Sequence, residues 1–269
     1  MTIHNAPFLQ QMMETTANMY RLGWDERNGG NISVRLSSEE IHDYLTPSKV
    51  KATLPLGIKV PELAGQYFLV TGTGKYFKNV AKDPELNLGI IRICENGSEA
   101  DVLWGFRDGG RFTSELPTHL LVHRTRLAID SSHRVVLHCH PTNVLAMNHI
   151  HSLTDKSVSR TLWGMCTECI VVFPEGVGVL PWMVCGNESI GQATAQKFET
   201  KRVVIWGLHG IYGSGRTLDE TFGLIETVEK AAQVYMLIHN SPVLNTITDQ
   251  QLIDLCEAFG VEYNRDYLG

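Results

Sequence analysis

Apolar residues recur at helical spacing from Phe8 to Leu22: Phe8, Met12, Met19 and Leu22 share a face, with Leu9, Met13 and Tyr20 beside them. This predicts an opening amphipathic helix. Gly23 and the stretch NGGN (Asn28 to Asn31) end it, and ISVRL then alternates as a strand does. From Ser37 to Leu63 no period is evident; with Pro47, Pro55 and Pro61, this segment reads as irregular. QYFLVTGTGKYF reads as a strand entering a glycine turn, and LGIIRIC, ENG and EADVLWGF as strand, turn and strand. Thr113 or Ser114 should cap a helix through ELPTHLLVHRTRLA, with Glu115 in its first turn and Pro117 tolerated near its start.

VVLHCHPTN predicts a further strand, after which Pro141 opens another helix. ECIVVFP and RVVIWGLHG read as buried strands separated by a helix that follows Asn187. Thr217 with Glu220 forms a capping box for a long helix from Leu218 to His239, and Thr248 with Gln251 repeats it before a last helix ended by Gly260. Strands and helices interleave without repeats or linkers. The pattern predicts one α/β domain over residues 1–269, a mixed sheet covered by helices.

Composition narrows the function classes. With 269 residues, 43% of them hydrophobic, the chain can build a substantial core. A formal net charge of −6 and no basic run argue against a nucleic-acid surface. No apolar run approaches the roughly 20 residues that span a bilayer. MTIHNAPFLQQMM lacks the basic start and apolar run of a secretory signal, and six cysteines are too few for a disulfide framework at this length. The expectation is a cytoplasmic protein.

Along a strand His138 and His140 point the same way and Cys139 the other. A lone apolar-stretch histidine is ordinarily a core residue bonded to a carbonyl, and His42, His119, His123, His133, His149, His151 and His239 take that reading. Two imidazoles on one face of an apolar strand favour a metal instead. His209, at a strand end between glycines, is the candidate third ligand; three neutral imidazoles would leave zinc an open, catalytic position. The CTEC stretch (Cys166 to Cys169) offers a redox pair, a closed metal site with the two histidines, or small core residues flanking Glu168; the last is favoured.

TSEL (Thr113 to Leu116) places hydroxyls and a carboxylate at a helix start, where an anion is favoured, although an ordinary cap explains it alone. NGGN and TGTGK are glycine turns able to present amides to phosphate; TGTGK is neither a Walker motif, since Leu69 replaces the first glycine, nor a dinucleotide fingerprint, since Phe77 replaces the third. With a three-histidine metal, the loops suggest a site for a small phosphate.

ERNGGN, TGTGKYF, TSELPTH, HCHPTN, TECIVVFP and HGIYGSG, in that order, resemble the class II aldolase/adducin family. The resemblance runs from Gly23 to about Ala232. It implies a three-layer α/β/α fold around a mixed, mostly antiparallel sheet, one Zn2+ per subunit, and a homotetramer with active sites at subunit boundaries. It further implies cleavage of a small-molecule sugar phosphate, L-rhamnulose 1-phosphate, to dihydroxyacetone phosphate and L-lactaldehyde through a metal-stabilised enediolate. Carried over by position, His138, His140 and His209 would hold zinc, Glu115 would be the carbon base, and Glu168 the acid on the aldehyde side. Asn28, Thr73, Thr113 and Ser114 would hold the phosphate, with Gly30, Asn31 and Gly74 lining the pocket. Within the family, an L-fuculose-1-phosphate aldolase or L-ribulose-5-phosphate 4-epimerase is the nearest alternative; TECIVVFP disfavours the fuculose branch, which uses tyrosine on the aldehyde side. A non-catalytic, adducin-like role is disfavoured by the full histidine set.

Overall fold

The computed structural model describes residues 2–268. In chain order the elements are α1 (Pro7–Arg21), β1 (Asn31–Leu36), α2 (Ser38–His42), β2 (Ala52–Pro55), β3 (Tyr67–Thr71), α3 (Pro84–Asn87), β4 (Leu88–Ile93), β5 (Glu99–Gly105), α4 (Leu116–Ile129) and β6 (Val135–Cys139). They continue with α5 (Thr142–Ile150), α6 (Asp155–Trp163), α7 (Glu168–Val172), β7 (Gly178–Leu180), α8 (Glu188–Lys197), β8 (Val203–Trp206), β9 (Gly210–Gly215), α9 (Leu218–Ile238) and α10 (Asp249–Phe259).

Among the described residues the strands form one sheet in the order β2-β5-β4-β3-β1-β6-β9-β8-β7. Every pairing is antiparallel except β7 with β8. Alternation along β6 shows why helices cover both faces: Val135, Leu137 and Cys139 pack in one core cluster with residues of α1, α5, α6, α7, α9 and α10, whereas Val136 packs on the opposite side with Val122 of α4 and Ile190 of α8. This is the expected three-layer α/β/α architecture with a mostly antiparallel sheet.

Four local expectations are corrected. ECIVVFP is not a strand: Glu168–Val172 is the helix α7, with Cys169 and Ile170 fully buried in the larger core. Burial against other helices overrides the β-branched preference of so short a run. The segment read as irregular contains α2, opened by a complete Ser37–Glu40 capping box, and the edge strand β2. Glu115 is the N-cap of α4 rather than a residue of its first turn. The Thr217 device is only half a box, because the Glu220 carboxylate accepts instead from the Arg216 amide over 2.7 Å. The Thr248–Gln251 box and the left-handed Gly260 cap are as expected.

Candidate functional site

Asn31, His138 and Tyr212 form one row across the three central strands, since Asn31 pairs with His138 on one side and Tyr212 pairs with His138 on the other. Directly paired residues point to the same face, here the face covered by α4. Two rings of that row stack: the His138 and Tyr212 centroids lie 4.3 Å apart at 18°.

His138 is fully buried, with Nδ1 3.0 Å from the Ile211 carbonyl. A carbonyl only accepts, so Nδ1 carries the proton and Nε2 presents a lone pair. His140, just past the strand, donates its backbone amide to the Trp24 carbonyl over 2.9 Å and its Nδ1 proton to Glu26 Oε1 over 2.8 Å. Its Nε2 then faces that of His138 at 3.2 Å, a separation that a proton or a metal ion must bridge. His209 supplies the third donor from the turn between β8 and β9, where Leu208 takes the left-handed conformation (φ 61°). One ligand atom from each of the three histidines lies within 4.8 Å of the others. Burial holds both His138 and His209 below the usual imidazole range, which favours the neutral form a metal requires. The donor set and the carbonyl and carboxylate behind it fit a metal ion.

Glu115 stands beside this cluster, its Oε2 3.7 Å from His138 Nε2. The same oxygen accepts from the Tyr212 hydroxyl over 2.6 Å and from Asn31 Nδ2 over 2.9 Å. Both bonds fall on Oε2. Burial and the neighbouring carboxylate push the Tyr212 phenol well above its ordinary range, so it stays a donor. Cys185 brings its Sγ into a second group with Glu115 and His209. Neither Glu26, Tyr212 nor Cys185 stood out in the sequence; Glu26 and Tyr212 lie inside quoted motifs, but no spacing rule marks them.

A Cβ on Gly29 would sit 2.8 Å from the His140 ring, and one on Gly30 3.1 Å from the His138 carbonyl, so the NGGN loop presses on the metal cluster as only glycine allows. Asn28 is exposed on that loop. The TGTGK turn, with Gly74 at φ 67°, is joined to the TSEL segment by Thr73 N donating to Arg111 O and Thr113 N donating to Thr71 O, each over 2.9 Å. Thr73, Thr113, Ser114 and Arg111 line a pocket of about 460 Å³ there. The Thr113 hydroxyl also accepts from the Glu115 amide over 3.3 Å. Lys75 is held away by Asp108 at 2.5 Å.

Glu168 lies elsewhere in the chain. It is exposed and lines a groove with Met165, Cys166, Asn245, Gln251 and Asp254, apart from its own histidine cluster. The Cys166 thiol donates to it over 2.7 Å and holds the carboxyl below its ordinary range. Cys169 is buried and Cys166 partly so, both free.

The Enterococcus faecalis protein called rhamnulose-1-phosphate aldolase is 53% identical over 269 residues, which is 100% of this chain and 96% of that one. A Listeria monocytogenes protein of the same name is 52% identical over 267 residues, covering 99% and 98%. The crystal structure of a sugar-phosphate aldolase from Thermotoga maritima superposes with a TM-score of 0.75 at 25% identity, covering 89% of this chain and 99% of that one. Residues 10–236 match the profile described as Class II Aldolase and Adducin N-terminal domain, and the chain belongs to that family.

Proposed function

We propose that this protein is a zinc-dependent aldolase that cleaves L-rhamnulose 1-phosphate to dihydroxyacetone phosphate and L-lactaldehyde. The substrate is taken from the names of its half-identical relatives. The observation that carries the chemistry is the convergence of His138, His140 and His209 beside the buried Glu115. Three imidazoles without a thiolate suit a zinc ion, one per subunit, that keeps its double charge and an open position. When bound, zinc supplies Lewis-acid polarisation of the carbonyl oxygen of the substrate.

The chain's own residues do the rest. Hydroxyls of Thr73, Thr113 and Ser114, with Asn28, hold the phosphate, while Gly30, Asn31 and Gly74 line the pocket. Glu168 takes the proton of the C4 hydroxyl as the C3–C4 bond breaks; the bonding pair passes to the dihydroxyacetone phosphate half, and Glu115 protonates C3. In synthesis Glu115 removes that C3 proton. Tyr212 and Asn31 grip Oε2 so that Oε1 faces the carbon.

The exposure of Glu168, away from its own histidines, supports a homotetramer in which it serves the site of a neighbouring copy. One continuous sheet supports residues 1–269 as a single aldolase domain. Six free cysteines suit a reducing cytoplasm, and among the described residues no helix is long and apolar enough to cross a membrane.

The test is metal analysis together with release of dihydroxyacetone phosphate from L-rhamnulose 1-phosphate. About one zinc per chain is expected, with activity lost on chelation and restored by zinc. Full activity in metal-free protein, or none in zinc-loaded protein, would defeat the reading.

A further inference from the structure

We propose that His119 is a positioning residue for Glu115, acting through Asn31 at the head of a one-way hydrogen-bond chain that runs back through Ser33 and His123 to His133. This rests on reading Glu115 as the carboxylate that moves the C3 proton.

The chain arises from matched periodicities. Glu115, His119 and His123 stand four residues apart on α4 and its cap, so they share one face. Asn31 and Ser33 stand two apart on β1, on the sheet face that α4 covers. Four helical residues advance about 6 Å and two strand residues about 6.6 Å, so the two ladders stay in step. Asn31 bonds both Glu115 and His119, and the Ser33 hydroxyl lies 2.8 Å from His119 Nδ1 and 2.8 Å from His123 Nε2. His123 Nδ1 meets His133 Nε2 at 3.2 Å. Asn31, Ser33 and the three histidines are all buried.

One proton arrangement satisfies every link. Asn31 Nδ2 must donate to the carboxylate, so Asn31 Oδ1 faces His119 and needs a donor. His119 is therefore protonated on Nε2. Burial pushes its pKa down to about 4, so the ring is neutral and Nδ1 accepts from the Ser33 hydroxyl. Ser33 Oγ in turn accepts from His123 Nε2, leaving His123 Nδ1 to accept from His133 Nε2. Burial keeps these rings neutral as well, His133 at about 3 and His123 well below the usual range.

The consequence falls on the reacting group. An asparagine amide can turn over by 180°, which would set its oxygen against Glu115 Oε2 and lose the grip on the carboxylate. His119 forbids this, because its Nε2–H must donate to Asn31 Oδ1, which aims the amide donor at Glu115. His119 also packs edge-on against the Tyr212 ring (5.6 Å, 68°), so it touches both groups that hold Oε2.

The experiment has two parts. In zinc-loaded protein labelled with 15N-histidine, nuclear magnetic resonance at pH 7 should show His119, His123 and His133 as neutral Nε2–H tautomers, each assigned by its single glutamine variant. An Nδ1–H tautomer or a charged ring at His119 would overturn the proposal. For kinetics, His119→Leu and Ser33→Ala should keep zinc and a KM within about threefold of wild type. Their kcat, and their exchange of the C3 proton of dihydroxyacetone phosphate, should fall by about 10- to 100-fold, as expected when a reacting group is misaimed. His119→Gln, which can still donate to Asn31 and accept from Ser33, should recover most of that loss. Equal losses in the leucine and glutamine variants, or wild-type kcat in Ser33→Ala, would refute the positioning role. An inactive wild type would defeat the aldolase reading; a wrong tautomer in an active one would defeat this inference alone.

Discussion

Glu26 Oε1 accepts a hydrogen bond from His140 Nδ1 over 2.8 Å, and this turns the His140 Nε2 lone pair toward His138. Glu26 is largely exposed, so its contribution is orientation of the ring more than charge. Glu26→Ala should weaken metal binding by about 10- to 100-fold, the usual cost of losing the partner behind a metal-bound histidine. Competition against a chromophoric chelator measures it, and an unchanged dissociation constant would show that the ring needs no such support.

The metal group contains three histidines and neither cysteine of CTEC. His209→Ala should therefore lose zinc and activity together, whereas Cys166→Ser keeps both. Loss of metal from Cys166→Ser would revive a closed cysteine–histidine site.

Glu115→Ala should fold and retain zinc, because the carboxylate bonds Tyr212 and Asn31 rather than completing the three-histidine group. Exchange of the C3 proton of dihydroxyacetone phosphate with solvent should slow by about 10²- to 10⁴-fold, the contribution of a positioned base. Wild-type exchange in this variant would remove Glu115 from the role.

Co-expression of Glu115→Ala with Glu168→Ala subunits tests the shared site. In a head-to-tail ring each site takes Glu115 from one chain and Glu168 from the next, so random mixing leaves about a quarter of sites intact. Activity near that fraction of wild type is expected, from two variants that are nearly dead alone. Verified mixed tetramers no more active than the separate variants would mean that Glu168 does not cross the boundary.

Acid should unfold the metal-free protein earlier than carboxylate chemistry alone predicts. His119 is held at about 4 and His133 at about 3 by burial, against an ordinary 6.5. Below 6.5 the unfolded chain binds the extra protons, so stability rises with pH. The contribution of His119 is fully present above 6.5 and is lost as pH falls toward 4, at roughly 1.4 kcal/mol per pH unit. Urea midpoints at pH 7, 6 and 5 should fall steadily, and less steeply in His119→Gln. A midpoint independent of pH across that range would contradict it.

Local patterns were legible in the sequence because their causes are local. Strand alternation set Val135, Leu137 and Cys139 against one core and His138 against the other face, and the α10 box and its glycine cap follow from residues three to twelve positions apart. The paired histidines, His209 at a strand end and the glycine turns were visible for the same reason, and their order along the chain carried the family resemblance. Where two local signals competed, the reading failed: the β-branched run after Glu168 looked like a strand, yet Cys169 and Ile170 are buried within α7 against other helices.

What holds Glu115 was decided only by the tertiary structure. Glu115 meets Asn31 across 84 residues and Tyr212 across 97, and His140 meets Glu26 across 114. Those meetings depend on β1 lying between β3 and β6, on β9 lying beyond β6, and on a register that sets Asn31 and Tyr212 opposite His138. A shift of one residue in either pairing would turn one of these partners to the far face of the sheet. His119 shows the difference most clearly. In the sequence it is one more histidine in an apolar helix; in the fold its ring faces Asn31 and Ser33 on a strand more than eighty residues away. Hydrogen bonds between such distant residues have no periodicity of their own, and exist only once the sheet order and register have brought their partners to one face.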